Sequence, residues 1–192
     1  MILGFGHRAF SGKDTAAGHM VSSYGFTRRA FADPLKQAAK VIFHLTDEQL
    51  YGSLKDVVDS YWKETPRTIL QKLGDECMRQ GYHQDVWVMS MRKYIIANPD
   101  VKNWTISDVR YPNEVKAIQK WGGMVVKVER EVPPANGVAN HSSEHILDNF
   151  TGWDLILDNN STFGALYGQL DRLAEKYCLE KSDFNDEEVT KP

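Results

Sequence analysis

The sequence predicts an α/β fold, a parallel sheet covered by helices on both faces, and three observations lead there. Short apolar-rich runs at residues 2–5, 27–32, 104–108, 124–128 and 155–157 alternate with longer segments whose apolar residues recur at helical spacing. Two helical segments carry their own start signals, Asp33 before Pro34 and Thr65 before Pro66, an acceptor side chain followed by a residue that needs no N–H partner. A length of 192 residues suits one such domain. A chain of this size buries roughly 70% of the surface its unfolded form would expose. In folds of this class crossovers are right-handed and ligands sit at the carboxyl ends of the strands.

The first run leads through Gly6, His7, Arg8, Ala9, Phe10, Ser11 and Gly12 to Lys13, Asp14 and Thr15, a strand-loop-helix passage built to hold phosphate. A helix starting near Gly12 aims its unpaired N–H groups, and roughly +0.5 of an elementary charge, at an anion in the loop. Lys13 adds a full charge on a flexible stem. Five residues separate Gly6 from Gly12 where the strict phosphate-loop pattern has four, and Thr15 stands one place late because Asp14 follows the lysine.

Residues 14–23 read as a helix ending near Tyr24 and Gly25, and residues 27–32 as the second strand. Asp33 at the N-cap and Pro34 at N1 open a helix through Leu35, Ala38, Ala39, Ile42 and Phe43. Residues 46–64, polar with scattered aromatics, read as a mobile insertion or as short helices. From Thr65 a helix runs to about Gln80, with Ile69, Leu70, Leu73 and Cys77 as its inward stripe and Arg67, Gln71 and Asp75 on the other face. Residues 85–97 give a further helix, residues 104–108 a strand ending in the acidic Asp108, and residues 113–121 a short helix before the break at Gly122 and Gly123. The connection over 131–145 holds Pro133, Pro134 and Gly137. It is about three times the usual median length and reads as a lid. In the last helix Phe163, Leu166, Leu170, Leu173 and Tyr177 are expected to pack on the sheet. Residues 181–192 are acidic and polar, and disorder is expected there.

A net charge of −3 and a pI near 6.1 lack the basic footprint of a binder of nucleic acid polymers, whereas a mononucleotide needs only a few local cations. Cys77 and Cys178 are too few for a disulfide framework and have no metal spacing, which fits free thiols in a reducing cytoplasm. No basic stretch leads into a long apolar segment, and no window approaches eighteen apolar residues, so a soluble cytoplasmic protein is expected. Nothing in the sequence decides between a monomer and a homodimer.

Several side chains converge on the strand ends. Asp108 stands where a carboxylate orients magnesium (Mg2+), directly or through water, or caps the next turn. Arg110 and Arg130 are within reach of transferring phosphates, or are ordinary surface arginines. An arginine on the developing charge is worth about 10³ to 10⁵ in rate, roughly 4 to 7 kcal/mol, against about 0 to 1 for a surface ion pair. Arg67 and Gln71 offer a fork for one phosphate and an amide for a base edge, or a solvated helix face. Trp87 stacks on a base or fills the core. His141 and His145 lack the third ligand that a zinc site needs.

Taken together the chain resembles the phage-type deoxynucleoside monophosphate kinases, relatives of nucleoside monophosphate and phosphomevalonate kinases. The resemblance rests on Gly6 to Ala9 with Ser11 to Thr15, Phe31 to Lys36, Pro66 and Arg67 with Gln71 and Gly74, Ile106 to Arg110 with Pro112 to Glu114, and His141 to Glu144. It implies a P-loop kinase fold, three-layer α/β/α with a five-stranded parallel sheet. One domain would cover residues 1–180, with a helical acceptor-binding insertion at about 45–100 and a lid at 130–145. It also implies transfer of the ATP γ-phosphate to a deoxynucleoside 5′-monophosphate with Mg2+. Lys13 would bridge the donor phosphates beside Ser11 and Gly12, and Asp14 or Thr15 would contact the metal or its waters. Asp33, Lys36, Arg67 and Gln71, with Trp87, would line the acceptor pocket. Arg110 and Arg130 would clamp phosphates, and Asn159 would lie near the adenine. Whether His141, Ser143 and Glu144 are catalytic or structural stays open. Other readings are a kinase for another small acceptor, such as a ribonucleotide or phosphomevalonate, and a slow nucleotide-dependent switch.

Overall fold

The computed structural model describes residues 1–131 and 145–177. Most of the expected lid, with His141, Ser143 and Glu144, and the expected tail with Cys178 lie outside the described residues. In chain order the elements are β1 (Ile2–Gly6), α1 (Lys13–Tyr24), β2 (Thr27–Arg29), α2 (Asp33–Phe43), α3 (Asp47–Tyr51), a 3₁₀ turn (Ser53–Asp56) and α4 (Pro66–Gln71). A π-helical stretch (Lys72–Gln80) continues α4, followed by α5 (Val86–Ala97), β3 (Trp104–Val109), α6 (Pro112–Lys120), β4 (Met124–Glu129), β5 (Leu155–Asp158) and α7 (Phe163–Lys176). They form two compact units, Met1–Ala30 with Pro99–Pro192, and Phe31–Asn98.

The first unit holds a five-stranded sheet in the order β2-β3-β1-β4-β5, with parallel pairing throughout. β1 lies in the middle because all five of its residues are buried, as a strand covered on both faces requires. Leu3 and Phe5 face one layer and join Val126, Val128 and Leu157 against Ala16, Ala17 and Met20 of α1 and Leu166, Leu170 and Leu173 of α7. Each such large side chain contributes roughly 1.5 to 3 kcal/mol by leaving water. Gly4 points to the opposite face, where a Cβ would stand 2.6 Å from Ile118 Cδ1 of α6, so any larger residue would make the Ile118 side chain shift. The result is a three-layer α/β/α unit. From β1 the chain moves to one side toward β2, and from β3 it crosses to the other side to reach β4. The ends of β1, β3 and β4 therefore flank a topological switch point.

Three expectations shift here. The second strand stops at Arg29 rather than residue 32. Asp33 is the first residue of α2 rather than its cap, the cap position belonging to Ala32, whose φ of −79° is already helical. In α7 only Leu166, Leu170 and Leu173 of the expected stripe are buried, whereas Phe163 and Tyr177 are 62% and 42% exposed at the helix ends, beyond the reach of the sheet.

The second unit is helical. Ala39, Leu45, Leu50, Ile69 and Leu70 form its core, with Leu35, Phe43 and Leu73 packed against them. Residues 46–64 contain short helices rather than a mobile insertion, and local polar bonds order them. Thr46 and Gln49 close a capping box on α3, and Asp59 accepts from the backbone N–H of Tyr61 and Trp62 and from the Gln49 amide. Thr65 caps α4 by accepting from the Thr68 N–H, with Pro66 at the first helical position. Cys77 is exposed, contrary to the inward stripe, because the i→i+5 bonding that begins at Lys72 widens the turn and rotates later positions off the 3.6-residue period. Among the described residues no helix is long and apolar enough to cross a membrane.

Candidate active site

The passage out of β1 is a strained loop. His7 and Phe10, neither of them glycine, have φ of 109° and 61°, and Gly12 has φ of 103°. Left-handed backbone at non-glycine residues is costly and concentrates at functional sites. Gly12 occupies the N-cap of α1 with no side chain to cap it, so the first-turn N–H groups are left to an anion. A Cβ at Gly12 would sit 2.3 Å from Asn159 Nδ2, so both the backbone angle and the space demand glycine. Lys13 is buried, and its Nζ donates to the carbonyls of His7 at 2.9 Å and Arg8 at 2.5 Å, which folds the ammonium back over the loop.

Two groups far along the chain brace this loop. Asn159 follows β5, is buried, and donates through Nδ2 to the Ser11 carbonyl at 2.8 Å. Asp148 takes two parallel bonds from Arg8, Nε to Oδ1 at 2.9 Å and Nη2 to Oδ2 at 2.8 Å, and lies 2.9 Å from His145 Nδ1. The Arg8 hydrogen bonds hold the Asp148 carboxyl down at about 2. His7 sits 3.9 Å from the same carboxylate, but burial first, then Lys127 and Arg8, lower its pKa and favour the neutral ring.

Because the Asp148 pKa is depressed on folding, its ionised form favours the folded state above about pH 4, and that contribution is lost as pH falls toward about 2. Asp148→Asn should therefore lower the melting temperature by a few degrees at pH 7, with the gap closing as pH falls to the Asp148 titration range. Thermal melts across the acid range check this. A gap independent of pH would contradict it.

The end of β3 supplies the next group. Gly6 of β1 pairs with Val109, which brings Asp108 and Arg110 beside the loop on the neighbouring strand. Their turn is fixed by Glu114, 1% exposed, whose Oε2 accepts from the backbone N–H of Arg110 at 2.8 Å and of Tyr111 at 3.1 Å. Arg130 directly follows β4, whose start likewise pairs with β1, and is exposed. Asp14 is 78% exposed and accepts from Arg28 Nη2 at 2.8 Å, whereas Thr15 is half-buried in the first turn of α1. For magnesium, the Thr15 hydroxyl and the Asp108 carboxylate are hard oxygen donors of the fitting kind. Among the described residues no group of three or more His, Cys, Asp or Glu gathers around one point. Such a sparse donor set suits an ion bound mainly through phosphates and water.

In the second unit Asp33 and Lys36 share the first turn of α2, with the Lys36 ammonium 4.1 Å above the Tyr51 ring. Arg67 and Gln71 are half-buried one turn apart on α4. Asp56 holds the Arg67 guanidinium at 2.5 Å and 3.0 Å, and that contact lowers the Asp56 pKa. Trp87 is buried and donates its indole N–H to the Gly74 carbonyl at 3.0 Å. Of its two readings, packing is the one this geometry favours, since the ring offers little face to a base.

The sequence model of the deoxynucleotide monophosphate kinase family matches residues 45–170. The chain belongs to this family. A putative deoxynucleotide monophosphate kinase of Acanthamoeba polyphaga mimivirus is 36% identical over 174 residues, which cover 83% of this chain and 89% of that one. Among solved structures, TT1252 from Thermus thermophilus is similar with a TM-score of 0.52 and 16% identity over 92% of this chain and 97% of that one. A dephospho-CoA kinase from Campylobacter jejuni gives a TM-score of 0.49 and 14% identity over 91% and 96%. The expected architecture, three layers around a five-stranded parallel sheet, is the one observed, and it is shared with TT1252.

In this deoxynucleotide monophosphate kinase family member, the expected donor-side residues Ser11, Gly12, Lys13, Asp14, Thr15, Asp108, Arg110 and Asn159 gather at one edge of the sheet. Asp33, Lys36, Arg67 and Gln71 fall on packed neighbouring helices of the other unit. Sequence reasoning missed Asp148 and Asp56, each a single acid with no motif around it, and assigned Glu114 no task. The spacing of Glu114 three residues after Tyr111, next to Pro112, was a readable capping signal.

Proposed function

We propose that this chain transfers the γ-phosphate of ATP to a deoxynucleoside 5′-monophosphate, giving ADP and the diphosphate. The observation that carries this reading is the loop at Gly12, with uncapped N–H groups and Lys13 folded over it, in a chain of the deoxynucleotide monophosphate kinase family.

The reaction is direct in-line displacement by an acceptor phosphate oxygen, with no covalent enzyme intermediate. Catalysis then consists of positioning and neutralisation. The N–H groups of the loop and first turn of α1 hold the donor phosphates, and Lys13 leaves its carbonyl partners for the transferring group. Thr15, with Asp108 and the more exposed Asp14, would hold Mg2+, which when bound neutralises phosphate oxygens. Arg110 and Arg130 stabilise charge on the moving phosphoryl group. Arg67 binds the acceptor phosphate, with Asp56 fixing its fork until the anion competes for it. Gln71 reads the base edge, and Asp33 and Lys36 complete the acceptor side.

A coupled assay of ADP release, with ATP and Mg2+ against dTMP, dGMP, dCMP, dAMP and the four ribonucleotides, tests the proposal. Rapid release that depends on at least one deoxynucleotide is expected. Release at the same rate without acceptor would indicate a slow ATPase switch. Response only to ribonucleotides would move the chain to another acceptor class.

A further inference from the structure

Asn159 was expected near the adenine, yet its surroundings describe a different task. Only 4% of the residue is exposed, its backbone N–H donates to the Glu129 carbonyl at 2.8 Å, and its side-chain Nδ2 is committed to the Ser11 carbonyl, also at 2.8 Å. The amide lies close enough to Gly12 that no Cβ fits between them. Asn159 directly follows β5 and its backbone is tied to Glu129 at the end of the neighbouring strand β4, so the amide is held where it meets the loop.

We propose that Asn159 is a positioning residue that sets the orientation of the Ser11–Gly12 peptide and thereby aims the loop's N–H groups at phosphate, independently of the nucleotide base. A trans peptide is planar, with its C=O and N–H pointing in opposite directions. Fixing the Ser11 carbonyl toward Asn159 therefore turns the Gly12 N–H to the other side. Ser11 is fully buried, and its hydroxyl has no partner among the described residues, so the carbonyl bond to Asn159 is what secures this peptide from the side. Gly12 at φ 103° is conformationally permissive, and without the amide the peptide is free to rotate. Donors already aimed at the anion cost no reorganisation when it binds.

The test rests on the phosphate-loop reading but not on any acceptor or on turnover. Binding of ATP, GTP and inorganic tripolyphosphate is measured by calorimetry for the wild type, Asn159→Asp and Asn159→Ala, with thermal melts of each. Asn159→Asp keeps the shape but sets an acceptor against the Ser11 carbonyl. It should weaken all three ligands by a common factor of about 10 to 100 while the protein still melts cooperatively, at a lowered temperature. Asn159→Ala should weaken them in the same proportion to one another. A loss confined to ATP, with tripolyphosphate binding intact, would show a base contact and overturn the proposal, as would unchanged binding of all three. If neither variant folds, the Asn159 side-chain amide is followed by NMR in the wild-type protein. It should shift with tripolyphosphate and not with adenosine, and the reverse pattern overturns the proposal. Failure of the wild type to bind tripolyphosphate would remove the phosphate-loop reading itself.

Discussion

Lys13→Ala is expected to fold with a near-normal melting temperature and to lose phosphoryl transfer to deoxynucleotides by about 10³-fold or more. Folding should survive because Lys13 opens α1, where alanine is the best helix former, and because the bonds its ammonium makes to the His7 and Arg8 carbonyls satisfy acceptors on a loop at the sheet's edge. The loss in rate follows from the charge. The transferring phosphoryl group carries its negative charge on three oxygens, and the buried ammonium is a full positive charge beside the uncapped helix start. A 10³-fold loss corresponds to roughly 4 kcal/mol of transition-state stabilisation, far more than an exposed ion pair supplies. Steady-state kinetics in the coupled assay, alongside circular dichroism melts, check it. Turnover within tenfold of the wild type would sink the assignment of Lys13.

Arg110→Ala should be the second large effect, a fall in kcat of about 10² to 10⁴ with a smaller change in KM for either nucleotide. The prediction rests on placement. Gly6 at the mouth of the loop pairs with Val109, and Glu114 clamps the backbone N–H of Arg110 whatever side chain it carries, so the substitution removes the guanidinium and leaves the turn intact. Arg110→Lys should recover only a small part of the activity, because an ammonium is a point charge and lacks the planar fork that spans two phosphate oxygens. Single-turnover measurements separate this from a binding defect. A rise in KM for ATP with unchanged kcat would assign Arg110 to ground-state binding instead.

These two effects draw on signals legible in the sequence. Lys13 stands in a contiguous strand-loop-helix passage, and Arg110 stands two residues past an acid that closes an apolar run. Glycines, prolines and caps act over a few residues, so the strands, most helix starts and the loop followed from local chemistry. The misjudged elements depended on distant neighbours. Cys77 left its inward stripe when the helix changed register at Lys72, and Phe163 and Tyr177 kept the helical period but ran past the sheet that buries the residues between them. The bond from the Trp87 indole N–H to the Gly74 carbonyl likewise joins residues that no local spacing pairs.

By itself the sequence determined the α/β class, the glycine-bearing strand-loop-helix passage with its lysine, and the family, because each is written in short runs whose physics is local. Only the tertiary structure decided which residues hold that loop in shape. Arg8 and Asp148 are 140 positions apart, and Ser11 and Asn159 are 148 apart. A hydrogen bond across such a separation depends on strand order and on where each strand ends, and no spacing along the chain encodes it.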